Sequence, residues 1–145
     1  MAHFAILDEN NIVKTTLVVS NDVATSEEKG INFLKDILKD QNLIIRQTSY
    51  NTRNGVHIKG GTPFRGNYGY TGYTYDPIND VFYRPRPVDM NNVICNSWTI
   101  SAPTWDWKAP IPMPTLTENK WYEWNEVTQA WVEIDIPVES NTASV

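Results

Sequence analysis

The sequence predicts an α+β protein, mostly β: a small N-terminal β-β-α-β unit, then a glycine-rich loop, then three aromatic β-hairpins. Three observations carry this expectation. Apolar, β-branched runs open the chain and enclose one stretch of helical spacing. Six of the seven glycines lie between Gly55 and Gly72 and all six tryptophans between Trp98 and Trp131, so composition divides the chain rather than supporting one large core. Finally, residues 73–85 (YTYDPINDVFYRP), 98–110 (WTISAPTWDWKAP) and 122–134 (YEWNEVTQAWVEI) repeat one another.

His3–Leu7 and Ile12–Val19 read as two strands joined by Asp8-Glu9-Asn10-Asn11, residues that favour turns. Thr25 with Glu28 three residues on resembles a capping box, and Ile31, Leu34, Ile37 and Leu38 then recur at helical spacing, predicting a helix over about residues 26–39. Leu43-Ile44-Ile45 and Gln47-Thr48-Ser49-Tyr50 read as a third strand, whose apolar start suggests a central position in the sheet. A helix on one face of this sheet is expected to bury Phe4, Ile6, Val18, Leu34, Ile37 and Ile44. These elements define a domain over 1–50.

Residues 51–72 have too much glycine and too little periodicity for helix or strand, and read as an arm or docking loop. A loop of this length is usually functional or disordered. The interleaved Phe64, Tyr68 and Tyr70 argue for docking, with another subunit as one candidate.

The region 73–136 holds the three repeats. Asp76, Ser101 and Asn125 each start a four-residue turn, because their side chains bond the backbone two residues on. With equal arms, Tyr73 falls opposite Phe82, Trp98 opposite Trp107 and Tyr122 opposite Trp131. Pro103 stands where a type I turn disfavours proline, so the middle turn requires another geometry. Prolines at 85, 87, 110, 112 and 114 make the connections stiff and extended. Residues 137–145 are small and polar and read as a flexible tail.

The formal charge of −5 opposes nonspecific binding to nucleic acid, which needs clustered Lys and Arg. Locally, no acidic residue falls between Asp40 and Asp76, whereas Arg46, Arg53, Lys59 and Arg65 do. That interval could meet an acidic partner, although a solvated loop accounts for it as well. The lone Cys95 forms no internal disulfide and reads as a small apolar residue. No secretion signal is expected at MAHFAILDENN, and no segment is apolar enough for a membrane span.

Chemistry is sparse. Two histidines and one cysteine cannot make the usual structural zinc site, so no metal is expected. Neither the spacing of Gly66, Gly69 and Gly72 nor GGTPFRG matches a phosphate-cradling loop, and no cofactor is expected. Asp76 with Asp80 could supply acid and base, but a turn prefers Asp for local hydrogen bonds, and no nucleophile, base and orienting group assemble. The chain reads as a non-enzyme. Its exposed rings could stack on sugars, yet hairpins are marginal alone and need their rings for packing. Trp105, which breaks the alternation, is the ring expected to be free.

MAHFAILDENNIV, QTSYNTRNGVH with GGTPFRGNYGYTGYTYD, and the W…W-x-x-P-x-P and YxW…W elements resemble a family of small proteins encoded by marine tailed bacteriophages, including cyanophages. The resemblance covers nearly the whole chain, and the GGTPFRGNYGYTGYTYD run is its specific part. Two departures stand out: Asn67 to Gly72 where relatives tend to carry Ala and Ile, and the additional Trp105. The family is virion-associated and offers no catalytic residues to carry over.

The resemblance implies a virion protein made in the host cytoplasm. Its expected role is structural, as a capsid decoration or tail accessory that binds other virion subunits and is compatible with a homo-oligomer. Each hairpin presents more aromatic surface than it can bury alone. The expected interface residues are Arg65, Tyr68, Tyr70, Trp105, Trp107, Trp124 and Trp131. The alternatives are a host-glycan binding module using the same rings, and a fibre-assembly chaperone absent from the finished particle.

Overall fold

The computed structural model describes residues 1–136, so the expected tail over 137–145 lies outside the described residues. The chain divides into two compact units. The first contains Met1–Pro85 and Ile100–Asp106, and the second contains Arg86–Thr99 and the residues from Trp107 onward. The boundaries at 50 and 72 that composition suggested do not separate units.

In the first unit, β1 (Ala2–Leu7), β2 (Val13–Val19) and β3 (Ile44–Thr48) form an antiparallel sheet of order β2-β1-β3, with α1 (Glu27–Ile37) between β2 and β3 in the chain. The β-β-α-β expectation is met, but β1, not β3, is central. The reason lies in β1 itself: five of its six residues are buried, which requires cover on both faces. Phe4 and Ile6 join Ala2, Val19, Leu34 and Ile45 on the helix side, while Ala5 and Leu7 join Val13, Tyr75 and Phe82 on the other.

The expected core is corrected at three places. Val18, Ile37 and Ile44 are exposed, and Val19 and Ile45 take the inward positions, because a one-residue change of parity turns every strand side chain to the opposite face. The helix cap also moves by one residue. Ser26, not Thr25, is the N-cap, its hydroxyl accepting from the Lys29 amide at 3.2 Å, with Glu27 and Glu28 in the first turn where negative charge suits the helix dipole.

Residues 51–72 are more ordered than their composition suggested. β4 (Thr52–Arg53) and β5 (Val56–His57) pair around Asn54-Gly55, both with positive φ (50° and 73°), the two-residue turn that matches strand twist. The remainder docks on the chain's own sheet. Gly69 donates its amide to Thr48 Oγ1 (2.8 Å) and accepts from Thr16 Oγ1 (2.6 Å), and a side chain at Gly69 would meet the Phe82 ring at 2.9 Å.

The three repeats are hairpins: β6 (Thr74–Asp76) with β7 (Val81–Tyr83), β8 (Thr99–Ser101) with β9 (Asp106–Lys108), and β10 (Lys120–Asn125) with β11 (Ala130–Asp135). In the first and third hairpins the expected register is wrong by two residues. Tyr75 faces Phe82, and Trp124 faces Trp131, while Tyr122 faces Glu133. The cause is shared: the eighth residue of each repeat, Asp80, Trp105 or Gln129, is left-handed (φ 54°, 49° and 49°), so the first turn residue enters the ladder as Asp76↔Val81 or Asn125↔Ala130. The expected turn bond, two residues on, is made in the first copy and falls three residues on in the third. Asp76 Oδ1 accepts from the Ile78 amide and Asn125 Oδ1 from the Thr128 amide, whereas the middle turn contains a cis Ala102–Pro103 peptide.

Candidate functional site

Two groups of side chains stand out, one in each unit, and together they include all seven residues singled out from the sequence.

In the first unit, Arg65 is an internal strut. It forms a two-point ion pair with Glu27, donates to the Gln47 carbonyl at 2.9 Å, and places Nε 2.8 Å from Asp80 Oδ1. Burial raises the Glu27 carboxyl, but the Arg65 hydrogen bond, the Gln47 amide and the charges of Arg65 and Arg46 outweigh it and hold the group below the ordinary carboxylate value. Asp80 also accepts from the Tyr75 hydroxyl.

Tyr68 and Tyr70 belong to a ladder of rings. Tyr50 stacks on His3 (5.6 Å) and meets Tyr68 edge-on (5.5 Å); Tyr68 meets Tyr70 (4.8 Å), and Tyr70 meets Tyr73 (5.4 Å). The Tyr68 hydroxyl and His3 Nδ1 share a hydrogen bond of 3.0 Å, and burial pushes the His3 imidazole below its usual value. Tyr70 stays 42% exposed.

Asn67 locks this region. Its Oδ1 accepts from the Asn54 amide, and its Nδ2 donates to the carbonyls of Phe82 (2.8 Å) and Trp105 (2.9 Å). Trp105 is half-buried, with its ring in contact range of Gly66, where a side chain would meet it at 3.1 Å. Sequence reasoning placed Tyr50 in the third strand and Asn67 in the segment that departs from the resembled family, but put neither among the interface residues. The signal for Asn67 was a polar residue flanked by Gly66 and Gly69 in a segment that has to satisfy its own buried backbone.

The second unit is built on tryptophan and two carboxylates. Trp98, Trp124 and Trp131 meet pairwise at 5.1–6.0 Å, and only Trp124 is fully buried, at 4% exposure. Trp107 lies under the Arg86 guanidinium at 4.2 Å, and Arg86 donates to the Cys95 and Trp98 carbonyls. Glu126 accepts from the Ser97 amide, the Ser97 hydroxyl and the Trp124 indole, each at 2.7 Å. Asp89 accepts from the Glu126, Asn91 and Val93 amides. The Glu126 amide holds the Asp89 carboxyl low, and the Trp124 indole does the same for Glu126. Cys95 is buried, and its thiol is raised by burial and by Glu126 and Asp89.

An apolar groove of about 420 Å³ is lined by Trp98, Trp107 and Trp131 together with Ile111, Pro112 and Met113. The Trp131 indole donates to the Ile111 carbonyl at 2.7 Å, so the proline-rich segment is tied to the ring cluster. Ile111 and Met113 are exposed at this groove, and Trp121, 49% exposed, and Leu116 are exposed beyond its lining.

Among the described residues, no three His, Cys, Asp or Glu side chains converge to hold a metal ion, and no helix is long and apolar enough to cross a membrane. No family model, curated protein or solved structure matches the chain.

Proposed function

We propose that this protein is a non-enzymatic structural component of a bacteriophage virion, a capsid decoration or tail accessory made in the host cytoplasm that binds other virion subunits. The observation that carries this reading is the surface of the second unit. Among its described residues the buried apolar side chains are Trp124 and Cys95, while Ile111 and Met113 remain open to solvent along a tryptophan-lined groove, and Trp121 and Leu116 are exposed beyond its lining. Contiguous apolar surface of this kind marks an interaction site, and a mixture of Trp and Met with few charges suits the centre of a protein interface. Trp107 and Trp131 line that surface, whereas Trp124 supports it from beneath. The resemblance of GGTPFRGNYGYTGYTYD to proteins of marine tailed phages supplies the context.

The test is mass spectrometry of purified, salt-washed virions, with this chain counted against the major capsid protein. Stoichiometric presence is expected, with hundreds of copies for a capsid decoration and a handful for a tail accessory. A Trp121→Glu chain that folds but fails to enter particles would locate the contact on the second unit. Absence of the native chain from particles overturns the structural role and favours an assembly chaperone.

A further inference from the structure

We propose that the tyrosine-walled cleft of the first unit binds an acidic pyranose sugar, one ring carrying a carboxylate. This site is separate from the surface invoked for assembly and stands or falls independently of it.

The cleft has a volume of about 220 Å³, room for a single six-membered ring rather than a nucleotide or a peptide, and is lined by Arg53, Asn54, Tyr68, Tyr70, Tyr73, Arg84 and Asp106 with Thr52 and Asn67 beneath. Its floor is rigid. Thr52 and Asn67 are both buried, with Thr52 Oγ1 accepting from the Phe64 amide and Asn67 tied to three backbone groups. Its wall is aromatic: Tyr70 and Tyr73 meet at 62°, a corner against which the C–H face of a sugar packs, and Tyr70 is open to solvent.

The polar groups match the rest of such a ligand. Arg84 and Asp106 form an ion pair at the cleft. Arg53 is exposed at the same cleft, in an interval without any acidic residue between Asp40 and Asp76. Two guanidiniums against one carboxylate leave the lining with a net positive charge, and a guanidinium pairs with a carboxylate at two points. Small ligand sites combine ring surface with a few convergent polar groups in this way.

The experiment is an amide NMR titration of the full chain with sodium D-glucuronate, with methyl β-D-glucoside and sodium acetate as comparison probes at constant ionic strength. Saturating shifts are expected at Asn54, Asn67, Tyr68 and Tyr70 with glucuronate, at affinity roughly tenfold above that for the glucoside, the difference one charge-assisted pair supplies. Arg53→Gln is expected to remove that tenfold advantage, and Tyr70→Ala to weaken both sugars. Both side chains are exposed, so the variants should keep the native spectrum, which the same experiment verifies. Glucuronate shifts reproduced by acetate, equal affinity for glucuronate and glucoside, unchanged affinity in Arg53→Gln, or no saturable shift would each overturn the proposal.

Discussion

Arg65 and Glu27, 38 residues apart, close a two-point ion pair across the backbone of Gln47: the Glu27 carboxylate accepts the Gln47 amide at 2.7 Å, and the Arg65 guanidinium donates to the Gln47 carbonyl at 2.9 Å. Side chains from α1 and the glycine-rich segment thereby stand in for a further strand beside β3, an edge strand of the sheet. An open edge invites pairing with another chain, and an ion pair satisfying its amide and carbonyl blunts it.

Arg65→Gln should therefore destabilise the first unit by about 2–3 kcal/mol, below the 3–5 kcal/mol of a fully buried pair because Glu27 keeps contact with solvent. The sign of its pH dependence follows from Glu27. Its carboxyl is lowered in the folded chain, so the stabilisation is complete above the ordinary Glu value and fades as pH falls through the folded value. Urea denaturation of both chains should show a wide gap near pH 7 that narrows in acid. A gap independent of pH would assign the loss to packing rather than charge.

A second prediction concerns Gly30 in the middle of α1. Alanine ordinarily gains about 1 kcal/mol over glycine inside a helix. Here a β-carbon would run into the ring of Phe4, which is fully buried beneath it. Gly30→Ala should instead cost about 1–3 kcal/mol, and the double variant Gly30→Ala, Phe4→Leu should recover part of the loss. Thermal unfolding of the four chains completes the cycle; simple additivity would refute the contact.

How far such contacts could be read in advance depends on range. The helix, the first hairpin and the three repeated turns rest on local chemistry, and Asp76 and Asn125 cap their turns as their side chains dictate. Parity was not readable at Leu17-Val18-Val19 or Leu43-Ile44-Ile45, because an unbroken apolar run does not say which residue points inward. Hairpin register slipped because one left-handed residue per repeat, Asp80, Trp105 or Gln129, carries no glycine to announce it. Asn54-Gly55 did announce a hairpin and was outweighed by the glycine content around it. At the candidate sites the aromatic residues stood out. Glu27, the partner of Arg65, could not be paired from sequence, since nothing local links the two.

Acid should act on the second unit through Asp89 and Glu126. Both carboxyls are lowered by the hydrogen bonds they accept, so their stabilisation is present above the ordinary carboxylate range and lost as pH falls through the lowered values. Tryptophan fluorescence reports this unit, which holds every tryptophan except Trp105. Emission should be constant at neutral pH and shift to the red below about pH 4. Glu126→Gln, which loses the charge facing Ser97 and the Trp124 indole, should be red-shifted already at pH 7 and change less in acid. An acid transition identical in both chains would place the titrating group elsewhere.

The repeated left-handed residue yields opposite predictions at its first and third copies. Gln129 is exposed at φ 49°, and its backbone amide donates to the Glu126 carbonyl at 3.3 Å, a bond that glycine retains. Left-handed backbone costs an ordinary residue about 1–2 kcal/mol that glycine escapes, offset in part by glycine's greater freedom when unfolded. Gln129→Gly should thus stabilise the last hairpin by about 0.5–1 kcal/mol. Asp80 has the same backbone at φ 54°, but its carboxylate faces Arg65 Nε and the Tyr75 hydroxyl. Asp80→Gly relieves the same strain and leaves a mostly buried guanidinium short of one partner, so it should destabilise. Denaturation midpoints moving in the same direction in both variants would mean that backbone strain alone governs the repeat; opposite directions would mean that the first copy has been recruited to hold Arg65.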